Sequence, residues 1–467
     1  MSKKTIFISG NFYILHPGII RFIDYSAKLG DHLIIGIFNN SINDYNFTLH
    51  DRIDALNKLN IKKEIIIIND NLDSIILDIK PDIIVKGNEY RNKKNIEEDL
   101  INQYGGKLIF SSGSSFSSSS LFDIIQKTDI SIDKANDYCN RHLIDKLKVK
   151  DVVSKFRDLN ILVIGDLIID EYIDCSAIGM SREDPSVVFA EKDKKNFIGG
   201  AGIVSLHAAS LGANVSYIYI KGNDNWNDYA NKAFKNYNVK TYSVDDDRPT
   251  VHKKRYICEN KTLFKLNTFD DRFIDQNIEN QIIKIFSTIK KDIDLVIFSD
   301  FNYGLLTQSL IDSIILMSHE NNIKVVSDCQ SSSQNGNIGK YKNTFLSTPT
   351  EYEARYSMNN FDKGIESVME SFVKFTNVNH LIMKLGKEGC LISSYDPKKN
   401  RLLSDQLPAL NSNPIDISGA GDSLFITCSM SLALGENIWT SAFLGSVAAG
   451  IQVSRLGNIP LKIEDFE

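Results

Sequence analysis

Short apolar runs rich in β-branched residues recur along the chain, separated by helix-compatible stretches. Over the first quarter of the sequence the runs are Thr5–Ser9, His32–Phe38, Glu64–Asn69, Asp82–Lys86 and Lys107–Ser111. Pro17–Leu29, Leu49–Leu59 and Ile96–Tyr104 lie between them and read as helices. Pro17 suits a first helical turn and Gly30 the residue just past an end. Such alternation predicts a parallel, doubly wound sheet. Residues 128–158 are polar, charged and helix-compatible without a strand run, which predicts a connector. A second series opens at Ile161–Gly165 and continues through Asn214–Ile220, Leu295–Ser299, Lys324–Asp328 and His380–Leu385. Ser186–Glu191 and Thr250–Cys258 break the alternation and predict antiparallel strands set apart as a lid. Near the C-terminus Ser423–Leu434 is apolar nearly all round, as a buried helix would be, and Gly435 stops it. The expected organisation is α/β in two domains, residues 1–127 and 159–467.

Composition narrows the classes. A chain of 467 residues is long for one core. Its 42% hydrophobic and 24% charged residues are those of a soluble globular protein. A net charge of -6 argues against a nucleic-acid-binding surface while leaving room for a locally positive site that takes a small anion. The six cysteines are scattered without CxxC spacing, which reads as free thiols in a reducing compartment. Neither a signal-peptide core nor a run of the ~18 apolar residues that cross a membrane is visible, so the expectation is a cytoplasmic protein without a membrane partner.

The strongest chemical motif is Asp416-Ile417-Ser418-Gly419-Ala420-Gly421-Asp422, directly before the buried helix. Small residues at a helix start let backbone N–H groups approach an anion, and the helix dipole adds positive potential. A phosphoryl group in transfer needs such fixed electrostatic support. An aspartate at the same turn can take the proton of an attacking hydroxyl. The string alone fits an ordinary turn capped by Asp422 equally well. Its companions are Val163-Ile164-Gly165-Asp166 with Asp170 four residues on, and Phe197-Ile198-Gly199-Gly200-Ala201-Gly202 opening an Ala-rich helix. With these, residues 159–467 resemble the ribokinase-like (PfkB) carbohydrate kinase family. Met180–Pro185, Arg248-Pro249-Thr250, Ser299–Gly304, Thr348–Glu353 and Leu385–Gly389 resemble its heptose 7-phosphate kinase branch. The resemblance implies an anion hole at Gly419, Ala420 and Gly421 with Asp422 as base. It implies Glu353 as the residue organising Mg²⁺ and phosphate, and Gly386 and Gly389 beside ATP. Asp170, Gly199 and Gly200 would face the sugar, and Arg255 its phosphate. The chain departs from that pattern at Ile203, Tyr303, Thr350 and Cys329-Gln330, which replace Asn, Lys, Asn and Pro-Lys and bear mainly on the sugar and its phosphate.

Near the N-terminus a strand runs into Gly10-Asn11-Phe12-Tyr13-Ile14-Leu15-His16-Pro17-Gly18-Ile19. With Gly30-Asp31, Asp51-Arg52, Lys86–Tyr90 and Ser117–Ser120, residues 3–127 resemble the cytidylyltransferase-like family. The resemblance implies a Rossmann-like nucleotidyltransferase domain using CTP or ATP. His16 would stabilise the α-phosphate, and Gly10, Phe12, Lys86, Ser117 and Ser118 would bind the nucleotide. Ile19 stands in place of the family's second histidine and Tyr13 in place of an aspartate.

Together the halves resemble the bifunctional heptose 7-phosphate kinase/heptose 1-phosphate adenylyltransferases in reversed order. That implies small-molecule partners, a sugar phosphate and a nucleotide, serving nucleotide-sugar and lipopolysaccharide synthesis. A homodimer formed through the lid is implied as well. Three other readings stay open: a kinase for another sugar or polyol with a cytidylyltransferase partner, a working kinase beside a catalytically dead N-terminal module, and a scaffold with both halves inactive, against which the intact motif around Asp422 speaks.

Overall fold

The computed structural model describes residues 4–12, 15, 17–39, 48–69, 72–87, 90, 95–111, 131–258, 261–331, 334, 336–396 and 401–466. Met1–Lys127 and Thr128–Glu467 form two compact units. In the first, β1 (Thr5–Gly10), β2 (His32–Phe38), β3 (Glu64–Ile68), β4 (Ile83–Lys86) and β5 (Lys107–Phe110) make a parallel sheet of order β3-β2-β1-β4-β5. Alternate residues bury on opposite faces, Ile6, Ile8 and Ile35 in one apolar core and Phe7, Ile34 and Ile84 in the other. Two-faced burial is why these strands read as unbroken apolar runs. The strand order reverses between β1 and β4, so Gly10 and Lys86 end the two strands that flank the usual ligand crevice of such a sheet.

In the second unit, β6 (Asn160–Gly165), β9 (Asn214–Lys221), β10 (Lys240–Asp245), β13 (Leu295–Asp300), β14 (Lys324–Cys329), β15 (Leu346–Ser347) and β16 (His380–Lys384) are parallel. β17 (Cys390–Asp396) and β18 (Arg401–Leu407) extend this sheet antiparallel to nine strands. Helices Ala420–Ala433 and Ile438–Val453 are buried almost throughout and belong to the core on one face.

A separate four-stranded sheet, order β12-β11-β7-β8, is larger than the two expected lid strands. It comprises β7 (Leu167–Met180), β8 (Val187–Gly200), β11 (Val251–Cys258) and β12 (Lys261–Thr268). β7 hides in the sequence because Asp166 alone separates it from β6, so the two read as one apolar run. Asp166 is the pivot between the sheets, accepting hydrogen bonds from the Phe301 and Tyr303 amides at 3.2 and 3.3 Å.

The segment expected to be a connector is part of the second unit from residue 131 on. Helices Asn136–His142 and Lys146–Ser154 bury Tyr138, Val149, Val152 and Val153 in a core of the second unit, with Phe156 just beyond. The Tyr138 hydroxyl donates to the Trp439 carbonyl at 2.9 Å. These apolar positions form one face of a highly charged stretch, and composition averaged them away. Among the described residues no helix is long and apolar enough to cross a membrane.

Candidate active site

Helix Ala420–Ala433 starts from Gly419, whose φ of 76° lies in the left-handed region. A Cβ there would come within 2.5 Å of Asn458 Oδ1, so conformation and packing both require glycine. The turn is braced through Asp416, which accepts from the Tyr172 hydroxyl at 2.8 Å and from the Gly457 and Ser418 amides at 3.0 Å. Burial works against the Asp416 carboxylate, but bonds from Ser418, Tyr172 and Gly457 outweigh it and hold the pKa below the usual range. First-turn amides of a helix lack partners within it. Here that turn, Gly419, Ala420 and Gly421, forms part of the wall of a cavity of about 790 Å³.

Asp422 lines the same cavity at 5% exposure. Gln330 Nε2 donates to its Oδ1 at 2.6 Å. Beside them Asp328 Oδ1 accepts from Lys384 Nζ and Thr348 Oγ1, both at 2.8 Å. Burial lifts the Asp422 pKa to about 7; Asp328 and Asp170 add to the rise, while Lys384 and Gln330 oppose it. Burial also disfavours the Lys384 ammonium, yet Asp328 and Glu353 more than compensate and keep its pKa high. A carboxylate poised near neutrality is suited to accepting a proton from a hydroxyl.

One end of the cavity is built by the lid. Asp170 on β7 receives Asn458 Nδ2 at 3.2 Å and Arg255 at 3.5 Å. Gly199 on the paired strand leaves the space, since a Cβ there would lie 2.4 Å from Asp170 Oδ2. Burial raises the Asp170 pKa, with Arg255 and Lys253 pulling it back. Arg255 also donates to Ser418 Oγ at 2.5 Å and lies 4.9 Å over the Tyr172 ring. Lys253, two residues earlier on β11, sits 5.6 and 5.3 Å over the Phe301 and Tyr303 rings. Burial lowers its pKa against the opposing charges of Asp170 and Asp422. A carboxylate flanked by two cations suits a ligand carrying both hydroxyls and a phosphate.

The other end is formed by the turn Gly386–Gly389 and by Ala409, Leu410, Ser412 and Ala449. Glu353 also lines the cavity, but its oxygens are engaged by the Thr350 amide at 2.7 Å and the Ser331 amide at 2.8 Å. Among the described residues no group of three His, Cys, Asp or Glu is placed to hold a metal. Each Glu353 oxygen keeps a second lone pair. One such carboxylate can contribute a ligand to a divalent cation held chiefly by other groups.

Of the expected kinase residues, Gly419, Ala420, Gly421, Asp422, Asp170, Gly200, Arg255, Glu353, Gly386 and Gly389 line this one cavity, and Gly199 stands behind Asp170. Ile203, where the family has Asn, and Tyr303, where the heptose branch has Lys, are buried in apolar clusters and do not line it. Lys384, Lys253 and Asn458 line it without having been singled out, because none belongs to a contiguous motif, and Gln330, expected to bear on the sugar side, instead contacts Asp422.

In the first unit, Phe12 is turned inward: its ring is buried over Gly10, where a Cβ would sit 3.3 Å from it. The Lys86 ammonium is paired with Glu97 at 2.7 Å and lies 4.7 Å over the Tyr90 ring. Ile19 packs against the apolar core. His16, Tyr13, Ser117 and Ser118 lie outside the described residues.

Residues 158–464 match the pfkB family of carbohydrate kinases over nearly the whole second unit. The chain belongs to that family. Residues 7–104 match the cytidylyltransferase-like family. The "Bifunctional protein HldE" of a Nitratiruptor species is 26% identical over 310 residues, 66% of this chain and 64% of that protein. That of Sulfurimonas denitrificans is 28% identical over 315 residues, 66% and 63% of the two chains. The chain thus spans a little under two thirds of the length of these curated relatives. Two solved structures share the pfkB-family fold. Escherichia coli phosphofructokinase-2 in complex with potassium has a TM-score of 0.55 at 14% identity, covering 66% of this chain and 97% of that one. Ribokinase from Thermotoga maritima has a TM-score of 0.51 at 19% identity, covering 66% and 99%.

Proposed function

We propose that the kinase unit of this pfkB-family chain phosphorylates the anomeric hydroxyl of a phosphosugar of the heptose 7-phosphate type with MgATP. The observation that carries the reading is Asp422, poised near neutral pH in one cavity with an anion-binding turn and with the Asp170–Arg255–Lys253 group. Asp422 takes the proton as the sugar oxygen bonds to the γ-phosphorus and the bond to ADP breaks. The amides of the Gly419–Gly421 turn receive the charge that develops on the transferred group. Mg²⁺ neutralises phosphate charge when bound, with Glu353 beside the phosphates. Asp170 accepts from sugar hydroxyls, and Arg255 binds the sugar phosphate.

The first unit would then join the sugar 1-phosphate to a nucleotide from ATP or CTP and release pyrophosphate, giving an activated heptose for surface polysaccharide. Its crevice at Gly10 and Lys86 supports this reading. A second reading is favoured by Ile203 and Tyr303, whose burial in the core removes a polar group of the family and one of the heptose branch and points to another phosphosugar. The six free cysteines fit action in the cytoplasm.

The test is incubation with ATP, Mg²⁺ and a panel of phosphosugars, following ADP and pyrophosphate separately. Heptose 7-phosphate should give ADP first and pyrophosphate after it. No ADP from any sugar would end the kinase reading for this chain. ADP without pyrophosphate, with CTP and ATP both supplied, would end the bifunctional one.

A further inference from the structure

The match to the kinase family begins at residue 158, yet the cavity has a wall residue from well before it. Lys134, in the 3-10 turn Ile132–Ala135, lines the cavity beside Leu410, Asn411 and Ser412. Two bonds fix the turn to that wall. The Ser131 amide donates to the Leu410 carbonyl at 2.8 Å, and the Lys134 ammonium donates to the Ser412 hydroxyl. The flanking chain is held equally well. Ala135 and Tyr138 are buried in the core, and Arg141 and His142 both reach Asp405 on β18, at 3.0 and 2.7 Å. His142 also stacks on Trp439, with ring centroids 4.6 Å apart.

An ammonium has three donor hydrogens, and Ser412 takes one. Among the described residues no other acceptor takes the remaining two, which leaves them for acceptor atoms in the cavity, at the end formed by the residues assigned to ATP. We infer that Lys134 is a nucleotide-binding residue of the kinase site, donating to acceptor atoms of the nucleoside, its ribose hydroxyls or ring nitrogens. It is supplied by a segment outside the family match. The inference rests on the kinase reading above and deepens it, since it gives this chain a nucleotide contact that the shared fold does not carry.

The test uses the full chain and measures binding of adenosine and of MgATP directly, alongside steady-state kinetics. Lys134→Ala should weaken both ligands by roughly five- to tenfold, the worth of one exposed charged hydrogen bond. It should raise KM for ATP by a similar factor and leave kcat at saturating ATP and KM for the sugar unchanged. Lys134→Arg should recover most of the affinity. Unchanged affinity for both ligands overturns the inference, as does a fall in kcat or in melting temperature with KM for ATP unmoved. Weakened MgATP binding with adenosine unaffected overturns the nucleoside assignment, because the contact would then be to phosphate. A wild-type chain that binds no MgATP sinks the kinase reading itself, a separate result.

Discussion

The proposed chemistry turns on Asp422, and its environment makes two opposed demands. Burial raises its pKa to about 7, so near neutral pH a large share of the free enzyme holds the carboxyl protonated and unable to act as base. The log of kcat/KM should therefore climb with pH and level off above about 7. Asp422→Asn should lower kcat by about 10³-fold or more, as loss of a general base does. The same group carries a stability cost. Between its ordinary value of 3.8 and about 7 the folded chain holds a proton that the unfolded chain has lost, so stability falls as pH rises through that window. Asp422→Asn should accordingly melt a few degrees higher than wild type at pH 8 and show little difference at pH 4, read by thermal unfolding across pH. Equal shifts at both pH values would show that the carboxylate is not the source. Gln330 offers the complementary experiment, since it stands where the family carries lysine and donates a neutral amide to Asp422 at 2.6 Å. Gln330→Lys places a positive charge there and should move the acid limb of the pH profile down by about one unit or more. A limb that stays near its original position would mean that another group sets it.

Elements differ in how plainly the sequence announces them. The helix start at Gly419–Asp422 is legible because its small residues, its aspartate and its apolar helix are contiguous. The parallel strands are legible because burial on both faces leaves no alternation to misread. What surrounds Asp422 is not, since Asp328, Gln330 and Lys384 sit near the ends of two strands and meet only when the sheet forms. Phe12 misleads for the opposite reason: its place beside a strand-end glycine suggests a ligand contact, and packing over Gly10 claims its ring for the core. The segment 131–158 reads as a tether because charge dominates its average, although Tyr138, Val149, Val152 and Val153 supply one buried face. The lid was underestimated as well, and its outer half has a property of its own. Ile178, Met180, Val187, Phe264 and Leu266 are 50–68% exposed on its strands, and β8 and β12 are its edges. Apolar edge strands left bare invite pairing, and a second copy of the same lid supplies a matching surface through a two-fold interface. The chain should elute as a dimer on calibrated size-exclusion chromatography, and Phe264→Glu combined with Leu266→Glu should give a monomer. Elution of the wild-type chain as a monomer at micromolar concentration would remove the lid from consideration as an interface.

At the scale of the whole molecule, two units with separate sheets and cores imply separable chemistry. Under the proposed function, a kinase making a sugar 1-phosphate and a transferase consuming one are linked only by that intermediate. Asp422→Asn should abolish ADP release from phosphosugar while pyrophosphate release from supplied sugar 1-phosphate continues at the wild-type rate. His16→Ala should do the reverse, lowering pyrophosphate release by about 10²–10³-fold, the usual loss for one transition-state donor, with ADP release intact. Ile19 marks what the second site lacks. Its apolar side chain packs against the core of the first unit where the family carries a second histidine. If that missing donor limits the reaction, Ile19→His should raise the rate of pyrophosphate release, at some loss of thermal stability because a polar ring replaces part of an apolar contact. If both single variants at Asp422 and His16 abolished both products, the units would be acting as one site, and the independence read from their separate cores would be wrong.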